Sequence, residues 1–293
     1  NLATGIKTII GSTSDSSNHS LYDLAWSPAG KLYGIEAGSP TRVYEVNPAT
    51  GALTRVGNIN GSFNGMVFGS NGTPYVSSLD NGDIYTFSMA SLSASTTTST
   101  SVAFNAPITA PNGQSLVSGG DLAWVGADLF YAATGGFSKF YLYKVPSGST
   151  SVQLVGEIVG TNGSPISGVY GLIGDGYGTI YAQAGSTLYQ LNRDTAVATV
   201  AATSISPNTI YGGAMQFESM QINEDFGDYS GFGEAKSNVL NTLRMGALVD
   251  GDAAGSNATA TTDDTTGLDD EDGVTLPGSL VAGGSASITV TVT

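Results

Sequence analysis

One pattern of hydrophobic and polar positions occurs four times in the first 217 residues. Each repeat opens with a short apolar strand, at residues 24–26, 66–68, 122–124 and 171–173. A turn that contains glycine leads to a second strand centred on a tyrosine: Tyr33, Tyr75, Tyr131 and Tyr181. A third strand with alternating apolar positions follows at residues 43–46, 84–87, 142–145 and 188–191. Alternation with period two predicts short β-strands, each with one buried face.

The repeat predicts an all-β protein that begins with a β-propeller. After the third strand a turn such as residues 47–51 leads to a fourth strand, as at residues 52–57. Four short strands in each unit of about 40–55 residues are typical of a propeller blade, and neighbouring blades must stack to bury their faces. We expect five blades, or six if the Ser/Thr-rich residues 91–101 contain further strands. The repeated tyrosines are expected to pack between blades.

The two ends of this region predict an incomplete blade. Residues 1–8 match residues 47–54, so the sequence starts at the turn before a fourth strand. Residues 211–217 resemble a lone first strand of a fifth unit. Strands from the two ends of a propeller commonly share one blade, which removes the open edges. The remaining strands of that blade are expected either upstream of Asn1 or from a neighbouring chain.

Charge divides the chain into two expected domains, a propeller over residues 1–217 and an acidic β-sandwich over residues 218–293. The first carries 11 acids and 7 bases, and the second carries 13 acids and 2 bases, within a total net charge of −15. Such a balance makes nucleic acid and anionic membranes poor partners. The chain has no cysteine and one histidine, which excludes disulfides, thiolate zinc sites and multi-histidine metal centres. No apolar run is long enough for a membrane span.

The second domain contains clustered carboxylates on glycine-rich segments, and these are the candidate metal ligands. Adjacent carboxylates repel one another unless a cation lies between them, and an all-oxygen ligand set suits calcium. The spacing does not fit an EF-hand loop, so the prediction of bound calcium rests on the clustering. The candidate ligands are Asp225, Asp228, Asp250, Asp252, Asp263, Asp264, Asp269, Asp270, Glu271 and Asp272.

The acidic region resembles the GEVED domain, a β-sandwich module of large secreted and surface proteins of bacteria. The resemblance rests on residues 225–228, 249–252 and 267–274, and it covers about 75 residues. The preceding repeat resembles the adhesin-associated β-propeller that often stands before such a module. These resemblances imply an extracellular protein with several domains and with calcium in the acidic loops.

Three functions follow as hypotheses. The first is a non-catalytic surface or adhesin-type module, with the propeller as an interaction platform and the sandwich as a calcium-rigidified spacer. Its partners would be other protein chains or surface glycans. The second is a structural subunit of an extracellular filament or matrix, self-assembled by strand exchange. The third, which the sequence favours least, is a calcium-dependent propeller hydrolase or lactonase.

The sequence predicts no catalytic residues. Asp23, Asp121 and Asp175 are the acids that could converge at the centre of a propeller. Asp23 and Asp121 both open the sequence Asp-Leu-Ala-Trp, so they are expected to make the same structural contact in two blades. His19 lies in a polar stretch and is expected in an exposed loop. The chain is therefore expected not to be an enzyme.

Overall fold

The computed structural model describes two units of the chain. Contacts within the chain define the units as Asn1–Gln221 and Ile222–Thr293. The described residues are 20–36, 38–94, 97–98, 108–136, 138–174, 178–203, 212–215, 224–226, 236–238, 274–275, 285 and 287–291. Residues 1–19, which include the predicted fourth strand at 1–8 and His19, lie outside the described residues.

The first two blades come from the first hundred residues. Blade 1 is an antiparallel sheet of β1 (Asp23–Trp26), β2 (Leu32–Glu36), β3 (Thr41–Val46) and β4 (Leu53–Ile59). Blade 2 contains three described strands, β5 (Phe63–Phe68), β6 (Pro74–Ser78) and β7 (Ile84–Thr86). A 3-10 helix at Met89–Ser91 follows, and β8 (Thr97–Thr98) then pairs in parallel with β4 at the outer edge of blade 1.

The next two blades repeat the arrangement. Blade 3 contains β9 (Val117–Val125), β10 (Asp128–Thr134), β11 (Phe140–Val145) and β12 (Gln153–Glu157) in sequential antiparallel order. Blade 4 contains β14 (Val169–Gly174), β15 (Ile180–Ala184), β16 (Thr187–Leu191) and β17 (Val197–Ala202). Its outer edge is covered by β13 (Val159–Gly160), which comes from the connection between blades 3 and 4 and pairs in parallel with β17.

The four sheets are arranged as propeller blades. The first strands pack against one another in chain order, β1 on β5, β5 on β9 and β9 on β14. Residues 212–215 continue this inner ring, because Gly213 lies against Ile173 of blade 4 and Gly212 lies against Asp23 of blade 1. The all-β, propeller-type fold predicted from the sequence is thereby confirmed.

The cores between blades are built from both faces of each sheet. Tyr33 of blade 1 contacts Phe68 of blade 2, and Tyr75 of blade 2 contacts Trp124 of blade 3, with 5.4 Å between ring centroids in both pairs. Phe140 of blade 3 makes an edge contact with Tyr170 of blade 4 at 5.8 Å. Such aromatic pairs add to the stabilisation that area burial provides.

One member of the predicted tyrosine series occupies a different position. Tyr33 is opposite Ala25 and Tyr75 is opposite Val67, whereas the equivalent Ala123 is opposite Phe130. Tyr131 is opposite Leu122 and points to the other face of the sheet, where it is fully buried. A shift of one residue exchanges the two faces of a strand. Tyr131 is therefore core, as expected, but not the equivalent of Tyr33.

The second unit has four short described strands. β18 (Glu224–Phe226) pairs antiparallel with β19 (Lys236–Asn238), and β20 (Val274–Thr275) pairs antiparallel with β21 (Thr289–Val290). These two ladders belong to separate two-stranded sheets. The predicted calcium-binding sandwich remains a prediction.

Candidate functional site

Most of the predicted calcium ligands lie outside the described residues. Asp225 lies in β18, where its backbone is opposite Ser237 of β19. The other predicted ligands fall outside the described part of the chain: Asp228, Asp250, Asp252, Asp263, Asp264, Asp269, Asp270, Glu271 and Asp272. Within the described residues, no three acidic or histidine side chains form a group suited to a metal ion. The predicted calcium sites stay a prediction.

Asp23 and Asp121 meet at the centre of the propeller. Both side chains are buried, with 1% and 0% of their surface exposed, and the two carboxyl groups hydrogen-bond each other. We call these two residues the axial pair. They come from blades 1 and 3, at the positions where blades 2 and 4 have Gly65 and Gly171.

Backbone N–H groups surround the axial pair. Asp23 accepts the N–H of Leu24 and, at 2.6 Å, that of Met66 in the next blade. Asp121 accepts the N–H groups of its neighbour Leu122 and of two residues from other parts of the ring, Leu172 at 2.9 Å and Gly213 at 3.2 Å. The repeated motif predicted a structural contact made in two blades, and the structure shows that each carboxyl joins its own first strand to the first strand of the following blade.

Electrostatics favours the protonated form of this pair. Burial raises the pKa of Asp121 well above its ordinary value of 3.8, and the charge and hydrogen bond of Asp23 raise it further. The N–H groups of Leu172 and Leu122 lower that pKa without offsetting these effects. Two buried carboxylates in contact cannot both ionise at low cost. Both carboxyl groups are buried, and their contacts in the described structure join neighbouring first strands.

A cleft opens between blades 1 and 2, at the face where the first strand of each blade turns into the second. Two adjoining pockets of about 450 and 360 Å³ form it, and they share Asn71, Gly72 and Met89. Blade 1 contributes the turn of Ser27, Pro28 and Ala29. The remaining lining comes from Tyr33 of blade 1, from the strands and turn of blade 2 and from the 3-10 region that follows β7: Phe68, Ser70, Thr73, Pro74, Thr86, Phe87, Ser88 and Ala90.

Two tight turns fix the shape of the cleft. In blade 1 the Lys31 N–H bonds the Ser27 hydroxyl, and Gly30 adopts a φ of +74°, which glycine tolerates best. In blade 2 the side chain of Asn71 accepts the N–H of Thr73, and Gly72 has a φ of +81°. These local hydrogen bonds are typical of Asx and Ser turns. The turns hold small polar side chains at the rim of the cleft.

The cleft combines an apolar floor with an uncharged polar rim. Tyr33, Phe68 and Phe87 are buried below it, and Met89 is half-buried at its side. Hydroxyl and amide side chains line the rim: Ser27, Ser70, Asn71, Thr73, Thr86 and Ser88. No described lining residue is charged. Sequence reasoning missed this site, because its parts come from two blades and carry no motif of their own.

Comparison with known proteins shows only distant structural similarity. No family model and no curated protein matches the sequence. A Bacteroides thetaiotaomicron protein of unknown function shares 14% identity at a TM-score of 0.47, over 67% of this chain and 54% of that one. A GH43 glycoside hydrolase engineered for endo-xylanase and exo-arabinofuranosidase activity shares 11% at 0.39, over 59% and 35%. XC5397, a gluconolactonase from Xanthomonas campestris, shares 11% at 0.40, over 66% and 79%.

Two of the functional predictions need correction after these comparisons. Two of the three structures are enzymes, and none is described as an adhesin or a filament subunit. This finding contradicts the predicted non-catalytic surface module and its filament alternative. The resemblance to a GEVED domain and to an adhesin propeller gains no support from family models, whereas the propeller-type fold itself is confirmed. At these identities the comparisons assign no substrate to this chain.

One structural observation bears on location. The described residues contain no helix with the length and apolar character needed to cross a membrane.

Proposed function

We propose that the propeller binds a neutral saccharide in the cleft between blades 1 and 2. The observation that carries the proposal is the lining itself, which joins an aromatic floor to a rim of hydroxyl and amide groups and has no charged side chain among the described residues. Ligand sites of this size commonly combine apolar walls with a few polar groups that fix orientation. Sugars present both hydroxyl groups and apolar C–H faces, and they carry no charge to neutralise.

Charge near the cleft supports a neutral rather than an anionic ligand. Lys31, which follows the turn of blade 1, forms an ion pair with Glu45 at 2.9 Å and does not line the cleft. An anion in the cleft would have no cationic partner in the described lining, and burying an unpaired charge is costly. Hydroxyl groups of a sugar can instead exchange hydrogen bonds with the rim at little net cost.

Ala29→Trp should abolish saccharide binding, because Ala29 is exposed at the cleft and an indole would fill part of it. We expect at least a tenfold loss of affinity, about 1.4 kcal/mol, in calorimetric titrations with neutral oligosaccharides of glucose, xylose and arabinose. Ala49→Trp is the matched control, since Ala49 is exposed in the β3–β4 turn of the same blade and outside the cleft. Equal binding by wild type and Ala29→Trp would contradict the proposal.

The same incubations test whether a bound saccharide is also cleaved. The described lining of the cleft contains no carboxyl or imidazole group, and glycoside hydrolysis generally needs two carboxyl groups flanking the bond. New reducing ends, lost in Ala29→Trp, would show that acids outside that lining reach the bound sugar. Binding without product assigns recognition to the cleft.

We further propose that the acidic groups of the second unit bind calcium in a GEVED-type domain of an extracellular protein. The support is the chemistry of the donors, which are oxygen atoms from the carboxylates between Asp225 and Asp272. Calcium sites of extracellular modules have dissociation constants of about 10⁻⁴–10⁻³ M and are filled outside the cell.

Removal of calcium should destabilise the second unit. A chelator is expected to lower its unfolding temperature, since a ligand at about 100 times its dissociation constant stabilises the folded state by about 2.7 kcal/mol. Differential scanning calorimetry with calcium and with chelator gives the shift, and equilibrium dialysis gives the number of bound ions. The double variant Asp269→Asn/Asp270→Asn should reduce both the chelator-dependent shift and the number of bound ions. Asp80→Asn in the propeller should change neither quantity. A chelator-insensitive transition without bound calcium would contradict this proposal.

A further inference from the structure

We infer that the axial pair is a proton-dependent latch, in which one shared proton holds the first strands of blades 1 to 4 and residues 212–215 together. The Asp23 carboxyl accepts the N–H of Met66 in blade 2, and the Asp121 carboxyl accepts the N–H groups of Leu172 in blade 4 and of Gly213. The pair therefore connects all parts of the inner ring through two side chains. A change in its charge acts on the whole ring.

The packing at the ring centre leaves the pair no room to separate. A Cβ atom on Gly212 would lie 2.6 Å from the Cα of Asp23, and one on Gly65 would lie 3.0 Å from the Cα of Asp121. The backbones of neighbouring first strands therefore press directly on both aspartates. When the shared proton leaves, two negative charges stay in contact in a buried site, and relief requires the inner strands to move apart.

No cationic side chain in the described strands around the pair offsets that charge. Strands β1, β5, β9 and β14 and residues 212–215 contain one other titratable side chain, Tyr170, and its ring packs on Phe140. In the second strand of blade 2, which packs on β9, the titratable group is Tyr75, and its ring packs on Trp124. The second strands of blades 1 and 3 contribute titratable groups that have partners elsewhere. These are Tyr33 against Phe68, Glu36 with Arg42 and Tyr44, Asp128 with the Ser147 N–H, and Tyr131 with the Gly82 carbonyl.

The sign of the pH effect follows from linkage. Folding raises the pKa of Asp121 above its ordinary value of 3.8, so between the two values the folded state holds more protons than the unfolded chain. The stability of the propeller consequently falls as the pH rises through that window. The axial pair therefore stabilises the propeller most at mildly acidic pH and less toward alkaline pH. A salt-bridged aspartate has the opposite pH dependence, because its pKa is lowered by folding.

The test compares the pH dependence of the propeller unfolding temperature in three forms of the full chain, all in chelator. For wild type we expect the unfolding temperature to fall as the pH rises above the ordinary aspartate pKa, by about 3–5 °C for each pH unit within the window, beyond the decrease in the variants. Asp121→Asn and Asp23→Asn each remove one charge and the contact between the two carboxyl groups but leave the remaining carboxyl buried, so the extra slope should become smaller in both. Asp80→Asn, a change at an exposed aspartate of blade 2, should keep the wild-type slope.

Infrared spectroscopy gives a second readout that does not depend on how stable a variant is. Above the pH at which exposed carboxyl groups ionise, the wild type should show the C=O band of a protonated carboxyl group, and this band should be weaker in either asparagine variant. A wild type without the band, or one whose slope equals that of both asparagine variants, would overturn the inference. If one variant does not fold, the other and the wild-type spectrum still decide the question.

Discussion

Replacing Asp121 with alanine is expected to leave the propeller largely unfolded at 25 °C. The substitution removes the acceptor of three buried backbone N–H groups, those of Leu122, Leu172 and Gly213. Each orphaned buried group costs about 1–3 kcal/mol. The sum, about 5 kcal/mol or more, is comparable with the whole stability of an ordinary domain. Urea denaturation followed by circular dichroism measures the loss.

Asp128→Ala provides the control in the same blade. Asp128 is half-buried at the start of β10, accepts one N–H from Ser147 and lies 3.7 Å from Lys144. Interactions at exposed sites of this kind contribute about 1 kcal/mol or less. Equal urea midpoints for the two alanine variants would mean that Asp121 does not hold the ring together.

The order of strands was predictable because the signal for it is local. Alternating apolar residues and glycine turns identify β1 to β3, β9 to β11 and β14 to β16 without reference to the rest of the chain. The register of one strand, β10 on β9, was not predictable. Five residues separate the end of β1 at Trp26 from the start of β2 at Leu32, whereas only two residues, Gly126 and Ala127, separate the end of β9 from the start of β10. The shorter turn moves Phe130, and not Tyr131, into the position of Tyr33, which only the strand pairing reveals.

The centre of the propeller was predictable in part. The repeated Asp-Leu-Ala-Trp motif indicates that Asp23 and Asp121 make equivalent structural contacts in their blades. Their distant partners could not be deduced, because Met66 lies 43 residues from Asp23, and Leu172 and Gly213 lie 51 and 92 residues from Asp121. Contact between the two aspartates depends on how blades 1 and 3 face each other. That relation is a property of the closed ring and not of either blade.

The cleft was not predictable for a similar reason. In the described part of the chain, blade 2 ends with β7, and the next segments run through the 3-10 helix to β8 at the edge of blade 1. The pockets lie between the segment that follows β7 and the turns of blades 1 and 2. The composition of residues 91–101 suggested either a strand or a loop, and gave no indication that the route would open a ligand-sized space.

The close approach of blades 2 and 3 should make Gly65→Ala strongly destabilising. A Cβ at this position would overlap Ser77 Oγ and would lie 3.0 Å from both Asp121 Cα and the Gly120 carbonyl oxygen. Backbone atoms cannot rotate away, so the first strands of two blades must separate. We expect a loss of about 3 kcal/mol in the free energy of unfolding, at the upper end for overpacked sites. Gly136→Ala is the control, because nothing lies within 4 Å of its Cβ, and it should change stability by about 0.5 kcal/mol or less.

A double variant separates the two sources of that strain. Ser77 Oγ is hydrogen-bonded to Ser118 Oγ at 2.8 Å, so it is the one contact of the new methyl group that a second substitution can remove. If the backbone of Gly120 and Asp121 sets the limit, Gly65→Ala/Ser77→Ala stays as unstable as Gly65→Ala, since deleting the hydroxyl leaves both 3.0 Å contacts in place. Recovery of most of the lost stability in the double variant would instead assign the strain to the serine, and would mean that the inner ring can open by a few tenths of an ångström without releasing Asp121.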